Sequence, residues 1–120
     1  MTNNQETINT ILIDVLKGNV SAVQLAKQIE SEPLRISAIS VFELFVKKNE
    51  KLVDSIEVID ICKDIVKKAA LIQRNLIKNG QIIDPEDCLI AATAILRKEI
   101  LITKNTKHFE RIDELEFVSY

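Results

Sequence analysis

The chain has 120 residues, 47% of them apolar and 28% charged, with a formal net charge of −2. That length suits one domain with a single core, and the composition excludes a disordered chain. The charge balance excludes the strongly basic footprint of a nucleic-acid binder, so RNA or DNA would have to be met through local lysines or a bound cation.

The opening "MTNNQET" is polar and carries no signal-peptide pattern, and the longest apolar runs are too short for a bilayer, so a cytoplasmic protein is expected. "ILIDVLKGN" is predicted to be a short helix, capped by Asn9 or Thr10 and stopped by Gly18. "VSAVQLAKQIESE" is predicted to be a second helix ending before Pro33. "LRISAI" alternates and is β-branched, which predicts a strand. "SVFELFVKKNEKL" returns to helical periodicity, and "SIEVIDI" alternates again. "CKDIVKKAALIQRNLIKNG" predicts a long amphipathic helix that stops at Gly80. "PEDCLIAATAILRKE" predicts the next helix, with Pro85 at its first position. "ILIT" predicts a buried strand and "EFVSY" a short last one. Cys62 and Cys88 are the only cysteines; their spacing fits neither zinc nor a disulfide framework, and both are expected as small core residues.

Strands alternating with helices imply right-handed crossovers and a mainly parallel sheet covered on both faces. Ligands of such sheets sit outside the carboxyl ends of the strands. The residues there are Ser40 and Glu43 after "LRISAI", Asp84 and Asp87 after "GQII", and Lys104 and Asn105 after "ILIT".

Two readings of these acids compete. Ser40 with Glu43, and Asp84 with Asp87, match capping boxes, and acids in a first turn gain roughly 0.3–1 kcal/mol from the helix dipole. Yet Glu43 and Asp87 both run into apolar helices, whose starts are at least partly desolvated. Two carboxylates sharing one crevice repel by roughly 4 kcal/mol at about 4 Å, unless a cation sits between them. Hard oxygen donors suit Mg²⁺ or Mn²⁺. On this view Asp84 caps the helix, Glu86 favours its dipole, and Asp87 carries chemistry.

"DPEDCLIAATAILRKEILITKNTKHFERI" and "ISAISVFELF" resemble the acidic motifs of PIN-domain ribonucleases, in particular the VapC-like toxins of prokaryotic toxin–antitoxin pairs. The resemblance covers roughly residues 8 to 118. It implies a single three-layer PIN-like α/β domain over residues 1–120, with a mainly parallel four- to five-stranded sheet and a polar, poorly ordered segment at 1–7. It implies a metal-dependent endoribonuclease that hydrolyses RNA phosphodiesters with Mg²⁺ or Mn²⁺, working as a homodimer with an antitoxin protein as partner. Glu43, Asp87 and Asn105 fall on metal-ligand positions, and Thr103 on a threonine that would meet a metal-bound water or a phosphate.

The first acid of the pattern is missing at its expected place, where Ile8 falls without a gap and Asn9 with a one-residue shortening. Asn9 is therefore the candidate there, able to ligate through its carbonyl but bringing no charge. Asp14, further on, reads as a surface helix residue. Lys104, Lys107 and Arg111 flank the motif and could meet RNA phosphates. His108, the only histidine, reads as structural or substrate-facing. Val20, Val23, Leu25 and Ile29 could form a groove for a second copy or an antitoxin segment, or pack in the core. The competing function is a catalytically weakened PIN-fold protein that acts by binding RNA or a protein. A small-molecule phosphohydrolase lacks support, because glycine occurs only at 18 and 80 and no phosphate loop is present.

Overall fold

Ile11-Leu12-Ile13 and Ile100-Leu101-Ile102 are the same three residues, and the fold lays them side by side. The structure is a computed structural model that describes residues 10–14 and 34–119. Its strands are β1 (Thr10–Ile13), β2 (Leu34–Ser37), β3 (Glu57–Ile59), β4 (Glu99–Thr103) and β5 (Phe117–Ser119). They form one parallel sheet in the order β3-β2-β1-β4-β5, so β1 is its centre. The helices are α1 (Ala38–Val46), α2 (Glu50–Asp54), α3 (Lys63–Lys78), α4 (Pro85–Arg97) and the single turn α5 (Thr106–Phe109). Among the described residues, no helix is long and apolar enough to cross a membrane.

The helix expected over "ILIDVLKGN" is corrected: its first residues are the central strand. A strand buried on both faces shows a continuous apolar run and no alternation, so periodicity alone does not separate it from a buried helix. Leu12 and Leu101 face a core built with Ile65, Ala69, Ile72 and Leu76 of α3 and Ile90, Ala91 and Ala94 of α4. Ile11, Ile13 and Ile102 face the other way, onto Leu44 of α1 and Ile56. Each fully buried Leu or Ile contributes about 1.5–3 kcal/mol relative to exposure. The expected second helix, its apolar residues Val20, Val23, Leu25 and Ile29, and Ile8 and Asn9 lie outside the described residues.

Three further expectations change. The helix over "SVFELFVKKNEKL" begins earlier, at Ala38, and breaks into α1 and α2 at Lys48, which takes a left-handed φ of 61°. The break is closed by Lys48 N–H donating to Phe45 O and Asn49 N–H to Leu44 O. Gln81-Ile82-Ile83 forms no strand: it is a loop after Gly80 (φ 69°), pinned by Gln73 Nε2 donating to Ile83 O at 2.7 Å. Cys88 is buried as expected, but Cys62 is exposed at the start of α3.

Near the amino ends of the strands a second polar feature closes the sheet. Arg35 of β2 pairs with Glu99 of β4, across β1, and with Glu57 of β3 at 3.4 Å. The Glu99 side chain is fully buried, so its charge depends on that guanidinium. Removing one partner of such a pair strands the other. Arg35→Leu is therefore expected to cost about 3 kcal/mol in urea unfolding, and Arg35→Leu/Glu99→Leu to recover most of it. A double variant as unstable as the single one would show that the charge pair is not what couples these strands.

Candidate metal centre

β1 and β4 run parallel and in register, so they end together. One residue past the end of β1 is Asp14, whose N–H donates to Ile102 O at 2.8 Å and extends the pairing. Beside it is Thr103, the last residue of β4. Both side chains are buried, Asp14 to 1% exposure and Thr103 to 0%. Thr103 Oγ1 donates to Asp14 Oδ2 at 2.6 Å and accepts from Asn105 N–H at 2.9 Å. Asn105 Nδ2 in turn donates to Asp87 Oδ2 at 3.0 Å, and His108 Nδ1 lies 2.7 Å from that same oxygen. One unbroken chain of contacts therefore runs Asp14–Thr103–Asn105–Asp87–His108.

Asp87 arrives from α4. Pro85 occupies the first turn, the backbone carbonyl of Asp84 accepts from Asp87 N–H at 3.0 Å, and the carboxylate lies at the positive end of the helix dipole. Asp84 stands at the cap position, but its side chain makes no capping bond. Glu43 is half-buried on α1, which packs against α4. The capping box expected at Ser40 and Glu43 is corrected. Ser37 caps α1, accepting from Ile39 N–H at 3.2 Å, and Ser40 is inside the helix, fully buried, with its hydroxyl unpartnered among the described residues.

Burial dominates the electrostatics. It pushes the Asp14 carboxyl up to about 6 against the Thr103 hydrogen bond, which lowers it, and the neighbouring charges of Asp87 and Glu43 raise it further. Burial also raises Asp87, opposed by His108 and assisted by Asp84 and Glu86. Cys88, next in the chain, is pushed up to about 11 by burial and by the same aspartates. It is a core residue and no nucleophile.

These donors fit a divalent cation. Buried carboxylates that disfavour their own charge gain from a positive ion, and an amide and carboxylate oxygens are the hard ligands Mg²⁺ and Mn²⁺ take. Asp84, Asp87 and His108 also place one ligand atom each within 4.8 Å of one another.

Asp14 is the residue the sequence reading missed. Its spacing predicts a surface helix residue, whereas it is a buried acid just past the carboxyl end of the central strand. The signal was available: "ILID" repeats "ILIT", and both end in a polar residue at the carboxyl edge. Asn9, proposed for the first acidic position, lies outside the described residues. Thr103 is too buried to meet substrate, and its one hydroxyl proton goes to Asp14, so it orients that carboxylate. Lys104 and Lys107 are exposed beside Asn105. Arg111 is half-buried and donates to Gln81 O at 3.4 Å and Ile82 O at 3.2 Å, holding the loop that leads to Asp84.

A carboxyl raised from its ordinary 3.8 to about 6 keeps its proton in the folded state where the unfolded state has lost it. Stability of the metal-free protein then falls as pH rises from about 4 through 6 and stays lower above, by about 3 kcal/mol for roughly two pH units. Asp14→Asn keeps an acceptor for Thr103 and removes the charge. In urea unfolding with EDTA it is expected to stabilise the protein at about pH 8 and to do little below about pH 4. An equal gain at both values would mean that charge burial is not the cause.

Comparison with known proteins bears on the family and the fold. A family model of the PIN domain matches residues 10–115. Ribonuclease VapC1 of Methanocaldococcus jannaschii is 42% identical over 64 residues, covering 53% of this chain and 47% of the relative. A VapC ribonuclease of Pyrococcus furiosus is 38% identical over 71 residues, covering 55% and 48%. The matched stretch thus spans about half the length of these curated relatives. Among solved structures, VapBC2 from Rickettsia felis, bound to a DNA fragment from its promoter, superposes with a TM-score of 0.76 at 24% identity, over 92% of this chain and 98% of that one. DNA-bound VapBC from Salmonella typhimurium gives 0.75 at 21% identity, over 92% and 98%. At such identities the superpositions speak to the fold, which is the parallel α/β sheet with flanking helices expected from the sequence. With the family model spanning β1 to the residues before β5, the chain belongs to the PIN domain family.

Proposed function

We propose that this chain is a metal-dependent endoribonuclease of the VapC type, hydrolysing RNA phosphodiesters with Mg²⁺ or Mn²⁺ and restrained by an antitoxin protein. The observation that carries the reading is the hydrogen-bonded chain from Asp14 through Thr103 and Asn105 to Asp87, with Glu43 close enough to raise the Asp14 carboxyl. The names of the curated relatives support ribonuclease activity, and the toxin–antitoxin assemblies among the similar structures support the partner.

In this reading Asp14, Asp87 and Asn105 hold the ion, and Glu43 faces the same edge from α1. A bound divalent ion would supply an activated water and offset the charge that develops on the phosphate. Thr103 fixes the Asp14 carboxylate, and the start of α4 fixes Asp87, so neither has to reorganise when substrate arrives. Lys104 and Lys107 would meet phosphates flanking the scissile one, giving affinity without sequence preference. Phe42, Phe45 and Val46 form an exposed apolar stripe on α1, 69%, 52% and 61% exposed, which suits a protein partner that we read as the antitoxin. The homodimer expected from the resemblance belongs to the same proposal.

The alternative, a weakened PIN-fold binding module, drew on a missing first carboxylate. Asp14 at the end of β1 removes that motive. Purified protein is expected to cleave RNA in Mg²⁺ or Mn²⁺, to stop in EDTA, and to lose at least ~100-fold in rate on Asp14→Asn or Asp87→Asn, since the ion supplies several kcal/mol to the transition state. Cleavage that survives EDTA, or an Asp14→Asn variant of full activity, would return the binding module to first place.

A further inference from the structure

The contacts around His108 hold more than one polar pair. His108 Nδ1 lies 2.7 Å from Asp87 Oδ2 and 2.9 Å from Asn105 Nδ2, and those two atoms are 3.0 Å apart. Three polar atoms from three segments therefore form a nearly equilateral triangle: α4 gives Asp87, the turn after β4 gives Asn105, and α5 gives His108. With Asp87 ionised, hydrogen bonding alone does not satisfy all three edges. A ring nitrogen offers either a lone pair or a proton. A lone pair on Nδ1 suits the Asn105 amide and opposes the carboxylate. A proton there suits the carboxylate and opposes the amide N–H. Turning the amide by half a revolution brings Oδ1 to face the carboxylate oxygen instead.

A cation seated over the face of this triangle resolves this, because all three groups then turn lone pairs toward it, with the Asn105 amide turned to offer Oδ1. The dimensions fit. Two donors about 2.1 Å from an ion and at right angles stand about 3.0 Å apart, so the triangle has the size of one face of an octahedron. Asp84 adds a further carboxylate within 4.8 Å of the Asp87 and His108 donors.

Nitrogen in that face changes which ion the site prefers. Carboxylates, amides and water suit Mg²⁺, whereas imidazole binds first-row transition ions better. We propose that His108 is a nitrogen ligand to the same ion as Asp87 and that it makes the site select a transition-metal dication such as Mn²⁺ over Mg²⁺. This rests on the metal-dependent reading of the site and narrows its cofactor. The competing role for His108 is to steady the Asp87 carboxylate through a hydrogen bond without touching the ion, which would serve both ions alike.

The test uses the full chain loaded with Mn²⁺. Pulsed electron paramagnetic resonance is expected to show ¹⁴N modulation from one directly bound imidazole, absent in His108→Ala and in His108→Asn. The second variant keeps a polar group beside Asp87 and serves if the alanine variant does not fold. Calorimetric titration is expected to show Mn²⁺ bound at least ~10-fold more tightly than Mg²⁺ by the wild type, with either variant losing at least ~10-fold for Mn²⁺ and little for Mg²⁺. Mn²⁺ bound in an Asp87-dependent way but without nitrogen modulation, or an equal loss for both ions, overturns the role of His108 and leaves the metal centre standing. Failure to bind either ion, or undiminished Mn²⁺ binding by Asp87→Asn, overturns the metal centre and this inference together.

Discussion

The hydrogen bond from Thr103 to Asp14 joins two strands that are 89 residues apart in sequence, and the site is assembled around it. β1 and β4 pair in register over four residues, so their polar ends emerge at the same height. Moving either strand by one residue would reverse which side chains face each core and would pull the hydroxyl away from the carboxylate. The apolar packing of Leu12 and Leu101 on one face, and of Ile13 and Ile102 on the other, thereby fixes a polar contact that contributes little to folding by itself. From Thr103 the constraint passes to Asn105 through its backbone N–H, and from Asn105 to Asp87 on a separate helix. Register set by the core thus decides where the acids stand.

This arrangement works against stability. Asp14 and Asp87 are buried with other acids nearby, and their carboxyls are raised as a result. A protein under no constraint except folding would place apolar or amide side chains there. Strain of this kind marks functional sites, where the groups are arranged for a ligand and the fold bears the cost when the ligand is absent.

Much of this was legible in the sequence, and the failures have physical causes. The parallel α/β plan followed from alternating apolar runs and helical periodicity, and the long helix ending at Gly80 and the Pro85 start of the next were marked by their breakers. Asp87 was placed on the functional edge because a polar residue heads an otherwise buried helix. Asp14 was lost because "ILIDVLKG" has apolar residues at helical spacing and a glycine stop, and a four-residue central strand leaves no period to contradict that. Only its tertiary partner, the matching tripeptide of β4, distinguishes the two. The three-way contact at His108 was equally hidden, since the histidine and Asp87 are 21 residues apart and meet only when the turn after β4 folds back over the start of α4.

The same sheet handles buried acids in two ways. Near its amino ends, Glu99 is fully buried and the chain supplies the compensating charge itself, with Arg35 reaching from β2. At its carboxyl ends, burial and neighbouring acids together hold Asp14 up near 6. A guanidinium in place of an ion would make the second end as settled as the first, and would fill the space beside the acids that a ligand would need. The difference is the one expected of a sheet whose carboxyl edge is its ligand-binding edge. One buried acid is neutralised for structure, while at the other edge the acids are held together by Thr103, Asn105 and the start of α4, where an exchangeable cation would complete them.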